Sequence, residues 1–260
     1  MKKLIALTLA MLLALSLFAG CANEQPKKEA GIKTVKEGVL TMVTNAFFPP
    51  YEYYDGENIV GIDVEIAQAI ADKLGLKLEI KDVEFDSIIT NVKNGAADFG
   101  LAGLTVKPDR EKEVDFSISY ASGVQVVIVK NDSAITTVDD LFADGATYKA
   151  GVQLGTTGDS YATEDLGDER VVRYNKGNEA VLALTNGDID CVIIDNEPAK
   201  AFVKANEGLK ILDTTYADED YAACFAKEND ALREAVDAAI MELTADGTIA
   251  AIIAKYIPAE

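Results

Sequence analysis

Apolar residues recur along the chain in short blocks, and the period within a block alternates between strand-like and helix-like. Val39-Leu-Thr-Met-Val-Thr44 is a compact, partly β-branched run and predicts a first strand. Asn45 to Gly56 is aromatic, carries Pro49 and Pro50, and predicts a loop and turn. From Val64 to Leu74 the apolar positions Val64, Ala67, Ile70, Ala71 and Leu74 follow one helix face, and Gly75 is a stop signal. Leu76 to Val83 predicts a second strand, Ser87 to Lys93 a helix ended by Asn94-Gly95, and Phe99 to Ala102 a third strand. Strand and helix in alternation predict a parallel sheet in an α/β fold.

A second round begins near Val124. Val124 to Val129 predicts a strand, Thr137 to Phe142 a short helix, and Lys149 to Gln153 a strand leading through Gly155-Thr-Thr-Gly158 into a helix that runs through Thr163. Glu179 to Thr185 predicts a helix, and Cys191 to Ile194 another strand. The two rounds share an echo. Val92-Lys-Asn-Gly-Ala-Ala-Asp-Phe-Gly-Leu-Ala-Gly103 parallels Leu184-Thr-Asn-Gly-Asp-Ile-Asp-Cys-Val-Ile-Ile-Asp195 at a constant offset of 92 residues. Each is a helix end, an Asn-Gly, an Asp, four apolar residues and a strand terminus. The echo equates Gly103 with Asp195 and predicts two similar lobes, each offering a strand end to a shared cleft.

The N-terminus changes the picture of where the chain works. Lys2 and Lys3 precede the apolar run Leu4 to Ala19, which is a secretory signal rather than a spanning helix. Leu17-Phe-Ala-Gly-Cys21 resembles a bacterial lipobox, with Phe18 where the pattern usually has Leu. Cleavage and lipidation would leave Cys21 as a diacylglyceryl anchor on the outer face of the cytoplasmic membrane. Ala22 to Lys33 is polar and reads as a flexible tether of roughly 40 Å when extended.

Lys and Arg number 24 against 44 Asp and Glu, a formal charge of −20. Removing the signal takes away two lysines and no acid, leaving about −22. Nucleic acid is a poor partner for such a chain. Histidine is absent, which excludes Ser-His-Asp and Cys-His catalysis and His-ligated metal sites. No cofactor or metal is expected. Cys191 and Cys224 lie in apolar, strand-like runs. They read as two small buried hydrophobes, although a disulfide is allowed outside the cell.

Candidate chemistry concentrates in Leu101-Ala-Gly-Leu-Thr-Val-Lys-Pro-Asp-Arg-Glu-Lys-Glu-Val-Asp-Phe-Ser117. The apolar run ends at Gly103, and Pro108 suits the first turn of a short helix. The loop between offers a bare backbone N–H, the Thr105 hydroxyl and the Arg110 guanidinium, which can grip a carboxylate with two parallel N–H bonds. No residue here could attack it. Gly155 to Gly158 opens a helix, where N–H groups and the dipole favour a carboxylate. A zwitterion also needs an anion, since a buried unpaired charge is costly, and Asp195 can supply it. Read singly, each has a plainer account: Arg110 fits an ion-pair run with Asp109, Glu111 and Glu113, Asp195 a solvated strand end, the Gly-Thr-Thr-Gly turn a helix entry, Phe48 and Phe85 core, and Asn45 a turn closed on its own backbone.

Together, Thr44-Asn-Ala-Phe-Phe-Pro-Pro-Tyr-Glu52, Gly61-Ile-Asp-Val-Glu65, Phe85-Asp86, Ala102-Gly-Leu-Thr105, Arg110, Val114-Asp-Phe-Ser117, Gln153-Leu-Gly-Thr-Thr-Gly158 and Asp195 resemble the polar and basic amino-acid-binding proteins of bacterial ABC transporters, solute-binding family 3. The resemblance runs from about Val39 to Ile257. It implies a two-lobed, type II periplasmic-binding-protein-like α/β fold, two hinge strands near Tyr120–Val124 and Tyr216–Tyr221, and a ligand in the interlobe cleft. Residues 37–122 and 222–260 would form lobe 1, residues 123–221 lobe 2, residues 1–20 the signal and residues 21–36 the anchored tether. It implies that Arg110 clamps an α-carboxylate with the N–H groups of Thr105 and of Thr156 or Thr157. Asp195 would take the α-ammonium with the Gly103 carbonyl and the Thr105 hydroxyl. Phe48 and Phe85 would flank the side chain, and Asn45 and Gln153 would reach its far end. Its partners would be an amino acid, a permease and, through the lipid, the membrane; the protein would be a monomer.

The family often has Asp where Asn45 stands. Asn45, the nearby Glu52 and two aromatic faces able to hold a cation tilt the side-chain preference toward a basic group, with glutamine and cystine open. Two rivals remain. One is an enzyme on the same fold, such as a cyclohexadienyl dehydratase with Glu52 or Glu197 as acid; the absence of a His partner counts against it. The other is a receptor sensor domain, against which the lack of a later apolar span counts.

Overall fold

The computed structural model describes residues 31–258, so the apolar run, Cys21 and the first part of the tether lie outside the described residues. β1 (Val39–Thr44) is buried along nearly its whole length. Its alternate residues face two layers, which explains its continuous apolar character. Leu40 and Met42 join a cluster with Ile66 and Ile70, while Val43 joins Ile88 and Val92. The aromatic stretch expected to be loop and turn instead folds into a small antiparallel sheet of β2 (Phe47–Phe48), β3 (Glu52–Asp55) and β4 (Asn58–Val60). Asp55 pairs with Asn58 across a two-residue turn, which sets Tyr54 opposite Ile59.

α1 (Ile62–Leu74) begins two residues before the expected Val64 and buries Ile62, Ile66, Ala67, Ile70 and Ala71. Gly75 ends it at φ 67°, with its N–H turned back to the helix carbonyls. β5 (Lys77–Asp82), α2 (Ile88–Lys93) and β6 (Phe99–Gly100) follow. The short helix expected from Pro108 is one turn of 3-10 helix, Arg110–Lys112, beginning two residues later. β7 (Asp115–Phe116) and the long β8 (Ala121–Lys130) come next. The second round is β9 (Ala150–Gln153), α3 (Thr157–Leu166), β10 (Val171–Tyr174), α4 (Gly177–Asn186), β11 (Cys191–Asp195), α5 (Asn196–Ala205) and β12 (Leu209–Ile211). β13 (Ala217–Tyr221), β14 (Cys224–Phe225), α6 (Asp230–Ala245) and α7 (Thr248–Tyr256) complete the described chain.

Two large sheets result, and each forms the centre of a lobe. One has the order β5-β1-β6-β14-β7; the other has β10-β9-β11-β8-β12, with β13 also on β8. The sheets are mixed, not parallel as expected. β5, β1 and β6 run parallel, as do β10, β9 and β11. β14 is antiparallel to β6 and β7, and β8 is antiparallel to β11, β12 and β13. The reason is connectivity: β8 and β13 carry the chain from one sheet to the other and back, so they enter without a crossover helix. They pair with each other from Ala121↔Tyr221 to Gln125↔Ala217.

The internal echo has a structural counterpart. Asp98 accepts the Thr41 N–H at 2.6 Å and returns its own N–H to the Thr41 carbonyl at 2.9 Å. Asp190, at the same offset, accepts the Lys149 N–H at 2.7 Å and returns its N–H to the Lys149 carbonyl at 2.9 Å. In both lobes the Asp before the central strand thus ties down the start of a neighbouring one. Cys191 and Cys224 are buried and unpaired.

Candidate functional site

The sheets meet around one small cavity. Its wall contains all ten residues singled out from the sequence, together with Ala102. Asn45 follows β1, Phe48 lies on β2, Phe85 precedes α2, and Gly103 and Thr105 follow β6. Arg110 opens the 3-10 turn. From the other lobe come Gln153 at the end of β9, Thr156 and Thr157 at the start of α3, and Asp195 at the end of β11. The walls are therefore built largely from carboxyl ends of parallel strands, where α/β sheets hold ligands. Glu52, which favoured a basic ligand in the sequence reading, is absent from this wall. It is fully buried behind it, beside Asp63.

Arg110 is 7 % exposed although Asp109, Glu111 and Lys112 beside it are exposed. Its Nη1 donates to the Thr105 carbonyl at 2.9 Å and its Nη2 to the Gly155 carbonyl on the other lobe at 3.0 Å. These use two of the five guanidinium donors. The Phe85 ring lies 5.6 Å from the guanidinium carbon, within cation–π range. Burial lowers the pKa of Arg110, and the charge of Glu219 foremost opposes that.

Thr156 caps α3, accepting the Asp159 N–H at 3.2 Å and donating its hydroxyl to the Gln153 carbonyl at 2.8 Å. The Thr156 N–H is already given to the Gln153 carbonyl at 3.3 Å. The Thr157 N–H has no protein acceptor among the described residues. Gly103 adopts φ 52°, and a Cβ there would lie 2.7 Å from Phe48 Cε1, so only glycine lets the backbone line the wall. Its N–H donates to Asp63 at 2.8 Å, and the Tyr120 hydroxyl donates to the same oxygen at 2.8 Å. At another part of the wall Gln153 donates to the Asn45 side-chain oxygen at 2.8 Å, and Asn45 donates to the Val83 carbonyl at 2.8 Å. This amide chain joins the two lobes.

Asp195 is 6 % exposed and accepts a short bond from the Tyr221 hydroxyl. Burial pushes its carboxyl well above the usual carboxylate range, the Glu219 charge adds to this, and the Tyr221 and Gln125 hydrogen bonds oppose it. Sequence reading missed Gln125, Glu219 and Tyr221. The available signal was alternation: in Ala217-Asp-Glu-Asp-Tyr221 only Glu219 and Tyr221 are buried, but an acidic run on its own reads as a solvated segment.

Two α/β lobes around a cavity lined by one buried cation, one buried acid and two aromatic rings define a solute-binding protein. Residues 40–259 match the model of bacterial extracellular solute-binding proteins, family 3, and the chain belongs to that family. The arginine-binding extracellular protein ArtP of Bacillus subtilis is 32 % identical over 269 residues, covering 100 % of each chain. The L-cystine-binding protein TcyJ of Escherichia coli is 29 % identical and covers 95 % of this chain and 94 % of its own. The structure of an ancestral arginine-binding protein bound to glutamine superposes with a TM-score of 0.80 at 36 % identity, covering 86 % of this chain and 100 % of that one. These relatives are binding proteins, and the chain stands with them rather than with the enzyme alternative. No helix among the described residues is long and apolar enough to cross a membrane.

Proposed function

We propose that this protein captures a polar L-amino acid outside the cytoplasm, between its two lobes, and delivers it to an ABC permease. The observation that carries this is the pairing of buried Arg110 and buried Asp195 in one cavity, one from each lobe. An amino acid brings a carboxylate and an ammonium, so each buried charge gains a counter-charge. Arg110 takes the carboxylate with its remaining donors, the Thr105 N–H and, at the helix start, the Thr157 N–H; Thr156 serves as the cap. Asp195 takes the ammonium with the Gly103 carbonyl and the Thr105 hydroxyl. Phe48 and Phe85 flank the side chain, and the Asn45 and Gln153 amides meet its end. Relatives named for arginine, cystine and glutamine binding all fit a polar side chain, and the Asn45 oxygen with the aromatic faces tilts the choice toward a basic one.

In this reading residues 37–122 and 222–260 form lobe 1 and residues 123–221 form lobe 2. The hinges lie near Tyr120–Val124 and Tyr216–Tyr221, where β8 and β13 run side by side. Residues 1–20 are a cleaved signal, Cys21 carries a lipid anchor, and the protein acts as a monomer. Thermal-shift screening of the twenty amino acids and cystine against lipid-free protein lacking residues 1–21 tests the reading. At least one should raise the midpoint, since a ligand that binds only the folded state stabilises it. No shift with any of them at millimolar concentration would remove the amino-acid assignment.

A further inference from the structure

The six-stranded sheet brings a second carboxyl to Asp195. Asp195 on β11 stands opposite Gln125 on β8, and Gln125 stands opposite Ala217 on β13. Two residues further along β13, Glu219 stands opposite Gly123, and Tyr221 then stands opposite Ala121. Directly opposed residues and residues two apart share a face of a sheet. Asp195, Gln125, Glu219 and Tyr221 therefore rise from the same face. Gly123 leaves the room for this, since a Cβ there would lie 2.0 Å from the Tyr221 hydroxyl oxygen.

Glu219 is 5 % exposed. Its Oε2 accepts from the Gln125 amide at 3.0 Å, while its Oε1 has no partner. Asp195 and Glu219 flank the Gln125 side chain from the two neighbouring strands, and the Tyr221 hydroxyl, two residues along β13 from Glu219, donates to Asp195. Neighbouring carboxylates disfavour each other's ionisation, so the pair favours holding one proton. The other ionisable groups that interact with these two acids are the hydroxyls of Tyr51, Tyr161 and Tyr221, the acid Glu52 and the Arg110 cation. Arg110 belongs to the other lobe. Asp195, Gln125 and Glu219 stand on one sheet, so their arrangement does not depend on lobe closure.

We propose that Asp195 holds a proton beside Glu219 in the ligand-free protein, and that the ammonium group of the captured ligand displaces it, so that capture releases one proton. The proposal rests on the reading of Asp195 as the ammonium site. The exchange balances: the ligand keeps its ammonium, the Asp195 O–H bond breaks, the carboxylate becomes the counter-ion, and the proton passes to water. Burial and the neighbouring acid favour the protonated form of Asp195, as described above, whereas an ammonium favours the ionised form. Capture should therefore strengthen as pH rises, by up to tenfold per unit, until Asp195 ionises without ligand.

Titration calorimetry of L-arginine into lipid-free protein lacking residues 1–21, in phosphate and in bis-Tris at pH 6, reads the protons released. The compact unit begins at Ile32, so this cut leaves it whole. We expect release close to one proton and an affinity that rises with pH between 5 and 7. Glu219→Gln should reduce the release and weaken the pH dependence, because the neutral amide removes the acid's share while burial still favours the proton on Asp195. Glu52→Gln, beside Asp63 and outside the cavity wall, should leave the release unchanged. Tight binding with no buffer-dependent heat in the parent protein overturns the proposal, even if Glu219→Gln fails to fold. Release that is undiminished in Glu219→Gln and lost in Glu52→Gln also overturns it, placing the proton on the other acid pair. If L-arginine gives no heat, L-glutamine and L-cystine take its place. Failure of all three removes the amino-acid reading and this proposal with it.

Discussion

Arg110→Lys tests the carboxylate clamp with the charge held constant. The guanidinium is almost fully enclosed and spans the cavity wall from the Thr105 carbonyl to the Gly155 carbonyl at 2.9 and 3.0 Å. That geometry fixes the plane of the fork, so its remaining N–H groups are pre-aimed. A lysine ammonium is a single point on a flexible stem. It can reach one carbonyl or one carboxylate oxygen but cannot hold a planar carboxylate bidentately. The loss is about one charge-assisted hydrogen bond, roughly 1.5–3 kcal/mol, which is about a 10- to 150-fold rise in Kd. Calorimetry on parent and variant gives this directly, and a melt on each without ligand separates it from damage to the fold. Because Gly155 belongs to the opposite lobe, small-angle scattering should also show a larger ligand-free radius of gyration in the variant. An unchanged Kd with an unchanged melting temperature would refute the reasoning, leaving the helix start at Thr157 as the carboxylate site without Arg110.

Three further outcomes are expected. Gly103→Ala forces a side chain into left-handed backbone and against Phe48, which should cost about 2–4 kcal/mol of stability from backbone strain and overpacking together; a chemical denaturation curve that overlays the parent would contradict this. Burial pushes the Asp63 carboxyl up to about 6 from 3.8, so the folded chain keeps a proton that the unfolded chain has lost. Its contribution is fully present below pH 4 and is lost as pH rises through 6, by about 2–3 kcal/mol. Asp63→Asn keeps an acceptor for Gly103 and Tyr120 and should flatten that part of the stability–pH curve; an identical slope would clear Asp63 of the effect. Cys21→Ser should move the protein from the membrane fraction to the soluble extracytoplasmic fraction, whereas firm membrane retention would mean that the Leu4–Ala19 run stays as the anchor.

Much of the architecture was legible because the strands and helices carry their periods openly. β1 reads as a strand buried on both faces, and α1 shows its inner face and its Gly75 stop. The Gly103–Asp195 echo pointed to two strand ends at one cleft. Sheet direction was not legible. β14 is two residues long, and its antiparallel entry follows from chain return rather than from any local pattern. β10 and β12, short and half-buried, likewise carry little signal. At the site, Arg110 looked like one member of a charged surface run, and only tertiary enclosure distinguishes it from its neighbours. Glu219 was hidden in an acidic run for the same reason. The Asn45–Gln153 bond joins residues on different lobes, and no local pattern encodes such a pairing.

The placement of β14 governs the order in which the molecule can be assembled. All strands of the six-stranded sheet come from the continuous stretch 121–221, so that sheet can close on itself early. The five-stranded sheet cannot. Cys224 pairs with both Gly100 and Phe116, and until it arrives β6 and β7 face an unfilled slot with bare edges. The loop that carries the clamp depends on the same late segment: the Ala222 N–H bonds the Leu104 carbonyl at 3.0 Å, and the Val106 N–H bonds the Asp220 carbonyl at 3.1 Å. Non-local pairing of this kind is slow and exposes edges to other chains in the meantime. A chain whose last segment has not yet been delivered therefore has a finished six-stranded sheet but no complete loop to seat a carboxylate.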